Sequence, residues 1–233
     1  MIWTDEFAFV DVILNHGHVF KFQMKGNYTT SAIRMPDLSS KPNWEQKYVE
    51  DDGEAYKCPW MHQPISAYHG LTGGLPNDIP WKVIVRNPYD RQVAQYETYK
   101  KNGAQLLGGP HLARWRAMTF PDFVNNNEPH KSDTLNSRQM RNYIESGGTH
   151  RHAFSQYKWI EGFESRTTVY KFEDLSQLET DTGLTLKSNL FGDYRYGWNG
   201  QEHDNWADYY TEELKAVIYE RHKQDFTQFG YDA

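Results

Sequence analysis

The chain has 233 residues, long enough for one α/β domain with a buried core and short for two. Its 25 Lys and Arg stand against 31 Asp and Glu, a net charge of −6 that excludes a protein whose main task is gripping a nucleic-acid backbone; an anionic ligand must then be met by a local group of cations. Cys58 is the only cysteine, so there is no internal disulfide framework, and no apolar run nears the about 18 residues of a membrane span.

Met1 to Phe9 carries acids and no basic stretch ahead of an apolar core; no secretion signal is expected, and the location reads as cytoplasmic. His18 to Met24 reads as a strand with Phe20, Phe22 and Met24 on one face. Lys25-Gly26-Asn27-Tyr28 then forms a turn and Thr29-Thr30-Ser31 starts a helix, which Pro36 keeps short. Residues 37 to 60 are polar and read as surface loop, with a weak strand signal around Tyr48 and Tyr56.

Trp81-Lys82-Val83-Ile84-Val85 is a compact apolar run expected to be a buried parallel strand. It ends in Arg86-Asn87-Pro88-Tyr89-Asp90. Asn87 suits a helix cap, Pro88 its first position and Asp90 its first turn, so a helix is expected to about Lys101, with Glu97 and Lys101 paired four residues apart. Gly103, Gly108-Gly109-Pro110 and Asn125-Asn126-Asn127 mark mostly loop from Asn102 to His130, around a short helix from Phe120 to Val124. Another strand is expected over Thr167 to Phe172. A last helix is expected over Thr211 to Phe229, with Leu214, Val217, Ile218 and Phe226 at helical spacing. Strands alternating with helices imply a parallel sheet in a single domain covering residues 1 to 233.

Two strand-to-helix junctions carry cations where helix amino termini and backbone amides favour anions. The first, Lys25-Gly26-Asn27-Tyr28-Thr29-Thr30, offers a lysine, a flexible turn and two hydroxyls, without the final Gly-Lys-Ser/Thr of a nucleoside triphosphate loop. Read alone, such a motif is more often a surface turn with a solvated lysine. The second is Arg86-Asn87-Pro88-Tyr89-Asp90-Arg91. Capping accounts for Asn87, Pro88 and Asp90 but not for an arginine at the end of a buried strand.

Together the two junctions resemble the cofactor loops of the sulfotransferases that use 3′-phosphoadenosine 5′-phosphosulfate (PAPS), in particular the carbohydrate-type branch. Lys25, Thr29 and Thr30 fall in register with the 5′-phosphosulfate loop, and Arg86 to Arg91 with the 3′-phosphate loop. His152-Ala153-Phe154-Ser155-Gln156 is similar to the family's His-x-x-x-Gln segment, Tyr170 to Leu175 to its Tyr-Glu-Asp-Leu strand end, and Tyr209 to Tyr231 to its closing helix. The likeness spans roughly Val19 to Tyr231. Three departures stand out: Ala94 in place of a phosphate-binding serine, Met24 in place of the loop proline, and the early Pro36.

The resemblance implies a three-layer α/β/α architecture of the P-loop-like sulfotransferase type, with PAPS as donor, 3′-phosphoadenosine 5′-phosphate (PAP) as product and no metal. It further implies nucleotide contacts from Lys25, Gly26, Asn27, Tyr28, Thr29, Thr30, Arg86, Arg91 and Arg195. Lys25 is the cation beside the leaving oxygen. The general base is His62, in Trp60-Met61-His62-Gln63-Pro64, with His69 in reserve; outside the family context either is more often a hydrogen-bonded structural histidine. His16-Gly17-His18 and His150-Arg151-His152 have no third metal ligand nearby in sequence and read as loop histidines. The partner expected is an acceptor hydroxyl on a glycan, a tyrosine or a small alcohol, with no nucleic acid and no membrane. Two other classes compete. A P-loop small-molecule kinase would need the Gly-Lys-Ser/Thr loop and a metal-binding acid, neither found. A non-catalytic carbohydrate-binding protein would suit the 15% aromatic content but predicts an all-β pattern.

Overall fold

The computed structural model describes residues 2–10, 12, 45–49, 55–59, 65–66, 79–107, 117–126, 155–185 and 205–233. In chain order these form β1 (Ile2–Trp3), β2 (Ala8–Val10), β3 (Glu45–Val49), β4 (Ala55–Pro59), β5 (Trp81–Val85), α1 (Pro88–Leu107), α2 (Phe120–Asn126), β6 (Thr167–Lys171), α3 (Ser176–Thr182) and α4 (Glu212–Phe229). The chain is α/β, and it gathers into two compact units interleaved in sequence. One comprises Met1–Gln46, Cys58–Asn87 and Gln156–Asn199; the other comprises Lys47–Lys57, Pro88–Ser155 and Gly200–Ala233.

The first unit is built on a sheet of strand order β1-β2-β5-β6. Thr4 reverses the chain between β1 and β2, its Oγ1 accepting from the Glu6 and Phe7 amides at 3.1 and 3.3 Å. β1 and β2 are antiparallel, whereas β2, β5 and β6 run parallel, with Ala8 opposite Trp81 and Trp81 opposite Thr167. β5 is the central strand. Alternate residues point to opposite faces, and Trp81, Val83, Ile84 and Val85 are all buried, so both faces of β5 are covered. That is why its sequence is a continuous apolar run rather than an alternation. In β6 only Tyr170 is buried. α3 buries Leu178 and stops at Gly183, whose φ of 66° is the left-handed conformation that ends helices.

The second unit packs α1, α2 and α4 around Tyr89, Val93, Tyr96, Phe123, Ile218 and Phe226. On α1 the buried aromatics and Val93 recur three and four residues apart, and on α4 Leu214, Ile218, His222 and Phe226 are buried at every fourth position, so each helix presents one largely apolar stripe. Fully burying a side chain such as Ile218 stabilises the unit by about 1.5–3 kcal/mol. Aromatic edges and faces finish the packing: Tyr89 stacks on Trp206 at 5.3 Å, and the Tyr210 hydroxyl donates to the Tyr89 carbonyl at 2.9 Å. Thr211 caps α4, its Oγ1 accepting from the Leu214 amide, and Gly230 closes it with a φ of 62°.

Two expectations need correction, and one element was not foreseen. α1 runs on to Leu107, six residues past Lys101. Gly103 costs a helix interior only about 1 kcal/mol relative to alanine, too little by itself to end it. The stretch 37 to 60, read as loop, contains β3 and β4, which pair as a separate two-stranded sheet; the weak signal at Tyr48 and Tyr56 was real. The amino-terminal hairpin of β1 and β2 had no counterpart in the sequence reading, because strands of two and three residues are too short to show a period.

Candidate anion site at Arg86

β5 delivers Arg86 at its carboxyl end, and the surrounding residues of the first unit fix it there. The Val85 carbonyl accepts from the Phe172 amide at 2.7 Å, which carries the β5–β6 ladder one step beyond the last paired residues. Gln156 then takes over. Its Oε1 accepts from the Arg86 amide at 2.9 Å and its Nε2 donates to the Arg86 carbonyl at 2.7 Å. Gln156 is itself completely buried, at the start of a 3₁₀ turn spanning Gln156–Trp159. One residue on, the Asn87 amide donates to Glu173 Oε1 at 2.6 Å.

The Arg86 side chain is 4% exposed, and its guanidinium lies 4.2 Å from the centre of the Phe172 ring. A guanidinium held against an aromatic face in low dielectric is a fixed, permanently charged fork, suited to paired hydrogen bonds with a phosphate. Charge of this kind acts more strongly than the same charge in water.

Arg91, the other described cation of that segment, lies in the second unit, on α1, and is 1% exposed. It neighbours a buried polar group. Gln92 Nε2 sits 3.2 Å from His222 Nε2, and with the amide donating, the imidazole proton resides on Nδ1, 3.7 Å from Asp225 Oδ2. That gap is too long for a hydrogen bond. Asp225 Oδ1 instead accepts from the Ser155 hydroxyl at 2.6 Å. Burial first, then the charges of Arg91 and Arg221, hold the His222 pKa well below its usual value, so the ring is neutral. The α4 backbone departs from helical geometry at this residue, with φ −116° and ψ 22°. Ala94, two residues beyond Gln92, is fully buried.

The first unit holds another charged group. Lys82 Nζ lies 2.6 Å from the Tyr170 hydroxyl, which donates to Asp181 Oδ2 at 2.7 Å, and Asp181 Oδ1 accepts from Gln177 at 2.6 Å. Burial lowers the Lys82 pKa, and Asp181 opposes that shift; burial raises the Tyr170 hydroxyl, with Asp181 acting in the same sense. This is how a lysine is tolerated inside an apolar strand.

Among the described residues no group of three or more His, Cys, Asp or Glu side chains is placed to hold a metal ion, and no described helix is long and apolar enough to cross a membrane. No protein-family model matches the chain, and neither a curated protein nor a solved structure matches it.

Of the candidate nucleotide-contact and catalytic residues, Arg86 and Arg91 are described and fall in different units. Lys25, Gly26, Asn27, Tyr28, Thr29, Thr30, His62, His69 and Arg195 lie outside the described residues, as do the strand at His18 to Met24, Pro36, and the His16, His18, His150 and His152 pairs. The sequence reading missed the groups around His222 and Lys82. A lysine within the run Trp81 to Val85 was the available signal for the latter, since a buried amine requires a carboxylate or hydroxyl partner. His222 carried no local signal, because Gln92 comes from another helix and Ser155 joins the group only through Asp225.

Proposed function

We propose that this protein is a PAPS-dependent sulfotransferase of three-layer, P-loop-like α/β architecture, acting in the cytoplasm on the hydroxyl of a glycan, a tyrosine or a small alcohol. The observation that carries the reading is Arg86: a guanidinium at the carboxyl end of the central parallel strand, with its backbone pinned on both sides and its face on Phe172. Cations at that end of a parallel strand are where open α/β sheets bind anionic ligands.

In this reading Arg86 holds the 3′-phosphate of the nucleotide, and Arg195 adds positive charge. Because Ala94 supplies no hydroxyl, Arg86 carries more of that anchoring. The Lys25 loop, with Gly26, Asn27, Tyr28, Thr29 and Thr30, surrounds the 5′-phosphosulfate. His62, with His69 in reserve, takes the proton from the acceptor hydroxyl as its oxygen bonds to sulfur. The bond from sulfur to the bridging oxygen breaks, the electron pair stays on the departing 5′-phosphate of PAP, and Lys25 offsets the charge gathering there. Catalysis rests on positioning and charge, as in phosphoryl transfer, and the smaller charge on the transferred group removes the need for a metal ion.

The test is transfer of labelled sulfate from PAPS to a panel of glycan, tyrosyl and small-alcohol acceptors. Turnover on at least one class is expected, with Lys25→Ala and His62→Ala both folded and inactive. Absence of transfer to every class, or full activity in Lys25→Ala, contradicts the reading.

A further inference from the structure

We propose that Gln156 is a positioning residue for anion recognition: its side-chain amide, doubly hydrogen-bonded to the Arg86 backbone, sets the direction in which the Arg86 guanidinium is presented to a phosphate. The inference rests on the reading that Arg86 holds the 3′-phosphate of the nucleotide.

Beyond Val85 the β5 backbone has passed its last paired ladder position, and a residue at such a point ordinarily has freedom in φ and ψ. Arg86 does not. A primary amide offers one acceptor and one donor at the spacing of a peptide group, so Gln156 stands in for a neighbouring strand, accepting from the Arg86 N–H at 2.9 Å and donating to its C=O at 2.7 Å. Both bonds are buried, and a partner removed there leaves backbone groups without water to replace it. The Cα–Cβ vector of Arg86 follows from its backbone angles, and Phe172 fixes the far end of the side chain at 4.2 Å. The guanidinium is therefore held from two ends, one by Gln156 through the backbone and one by an aromatic face. Paired N–H donation to a phosphate depends on that direction, since a small misplacement spoils both bonds together.

The test compares dissociation constants for PAP and for adenosine 5′-phosphate, which lacks the 3′-phosphate, in the native protein, Arg86→Ala, Gln156→Met and Gln156→Asn. Both nucleotides are measured on the same folded protein, so a purely structural loss weakens them together and leaves their ratio unchanged. Gln156→Met keeps the volume and removes both hydrogen bonds. Gln156→Asn keeps the amide but is one methylene too short to reach both groups, and it serves if the methionine variant does not fold. Native protein is expected to prefer PAP, Arg86→Ala to lose the preference, and either Gln156 variant to reduce it about tenfold while binding adenosine 5′-phosphate unchanged. A preference that Arg86→Ala abolishes but the Gln156 variants retain overturns the positioning role and leaves the reading of Arg86 standing. No preference in native protein, or one that survives Arg86→Ala, removes the 3′-phosphate reading and the role of Gln156 with it.

Discussion

The guanidinium of Arg86 lies over the ring of Phe172, 4.2 Å from its centre, so a cation and the negative face of an aromatic quadrupole are paired inside one compact unit. Phe172→Leu keeps apolar bulk and removes that face. A loss of about 0.5–2 kcal/mol of stability is expected from urea denaturation, the range for a partly desolvated cation over a ring. An unchanged midpoint would mean that the contact contributes nothing.

His222 gives a pH dependence with a definite sign. Its folded pKa is depressed, by burial first and then by Arg91 and Arg221, while the unfolded chain titrates near the ordinary value of about 6.5. The unfolded state therefore binds the extra proton, and the stability associated with a neutral ring, fully present above about pH 6.5, is lost as pH falls toward the folded value. Relative to His222→Gln, native protein is expected to lose up to about 1.4 kcal/mol per pH unit below that point. Parallel stability curves for the two proteins from pH 8 to 5 would show that His222 does not titrate against folding.

Tyr170 links Lys82 to Asp181. Tyr170→Phe removes the hydroxyl and leaves a partly buried amine short of one partner, at an expected cost of about 0.5–1.5 kcal/mol by denaturant unfolding. Adding Lys82→Met in that background is expected to recover part of the loss, because the group needing the partner is gone. Strict additivity of the two changes would show that the residues do not act as a pair.

Ile218 and Val217 are neighbours on α4, but only Ile218 is fully buried. Ile218→Ala is expected to cost about 2–5 kcal/mol and Val217→Ala clearly less. Equal losses measured by thermal unfolding would mean that the apolar stripe is wrongly assigned.

What the sequence made legible follows from where its signals are local. β5 and α4 could be read almost to the residue: β5 is a continuous apolar strand closed by a polar pair, and α4 carries its cap at Thr211 and its stop at Gly230 within the same few positions. α1 was placed correctly at Pro88 and cut short at its end, since one glycine looks like a stop and is not one. Arg86 stood out as a charge at the end of a buried strand. Gln156 and Phe172 stood out only as members of the His-x-x-x-Gln and Tyr-Glu-Asp-Leu segments, and nothing local tied either of them to Arg86. Gln156 is 70 residues away and Phe172 belongs to the chain just after β6, so the clamp and the stack exist only through tertiary pairing. The same holds for Ser155 and Asp225, also 70 residues apart.

The most direct measurement is a calorimetric titration of native protein and Arg86→Ala with PAP. Saturable one-to-one binding is expected for the native chain and its loss in a variant that remains folded. No heat of binding to native protein, or an affinity untouched by removing the guanidinium, would contradict the assignment of Arg86 as the anchor of a nucleotide phosphate.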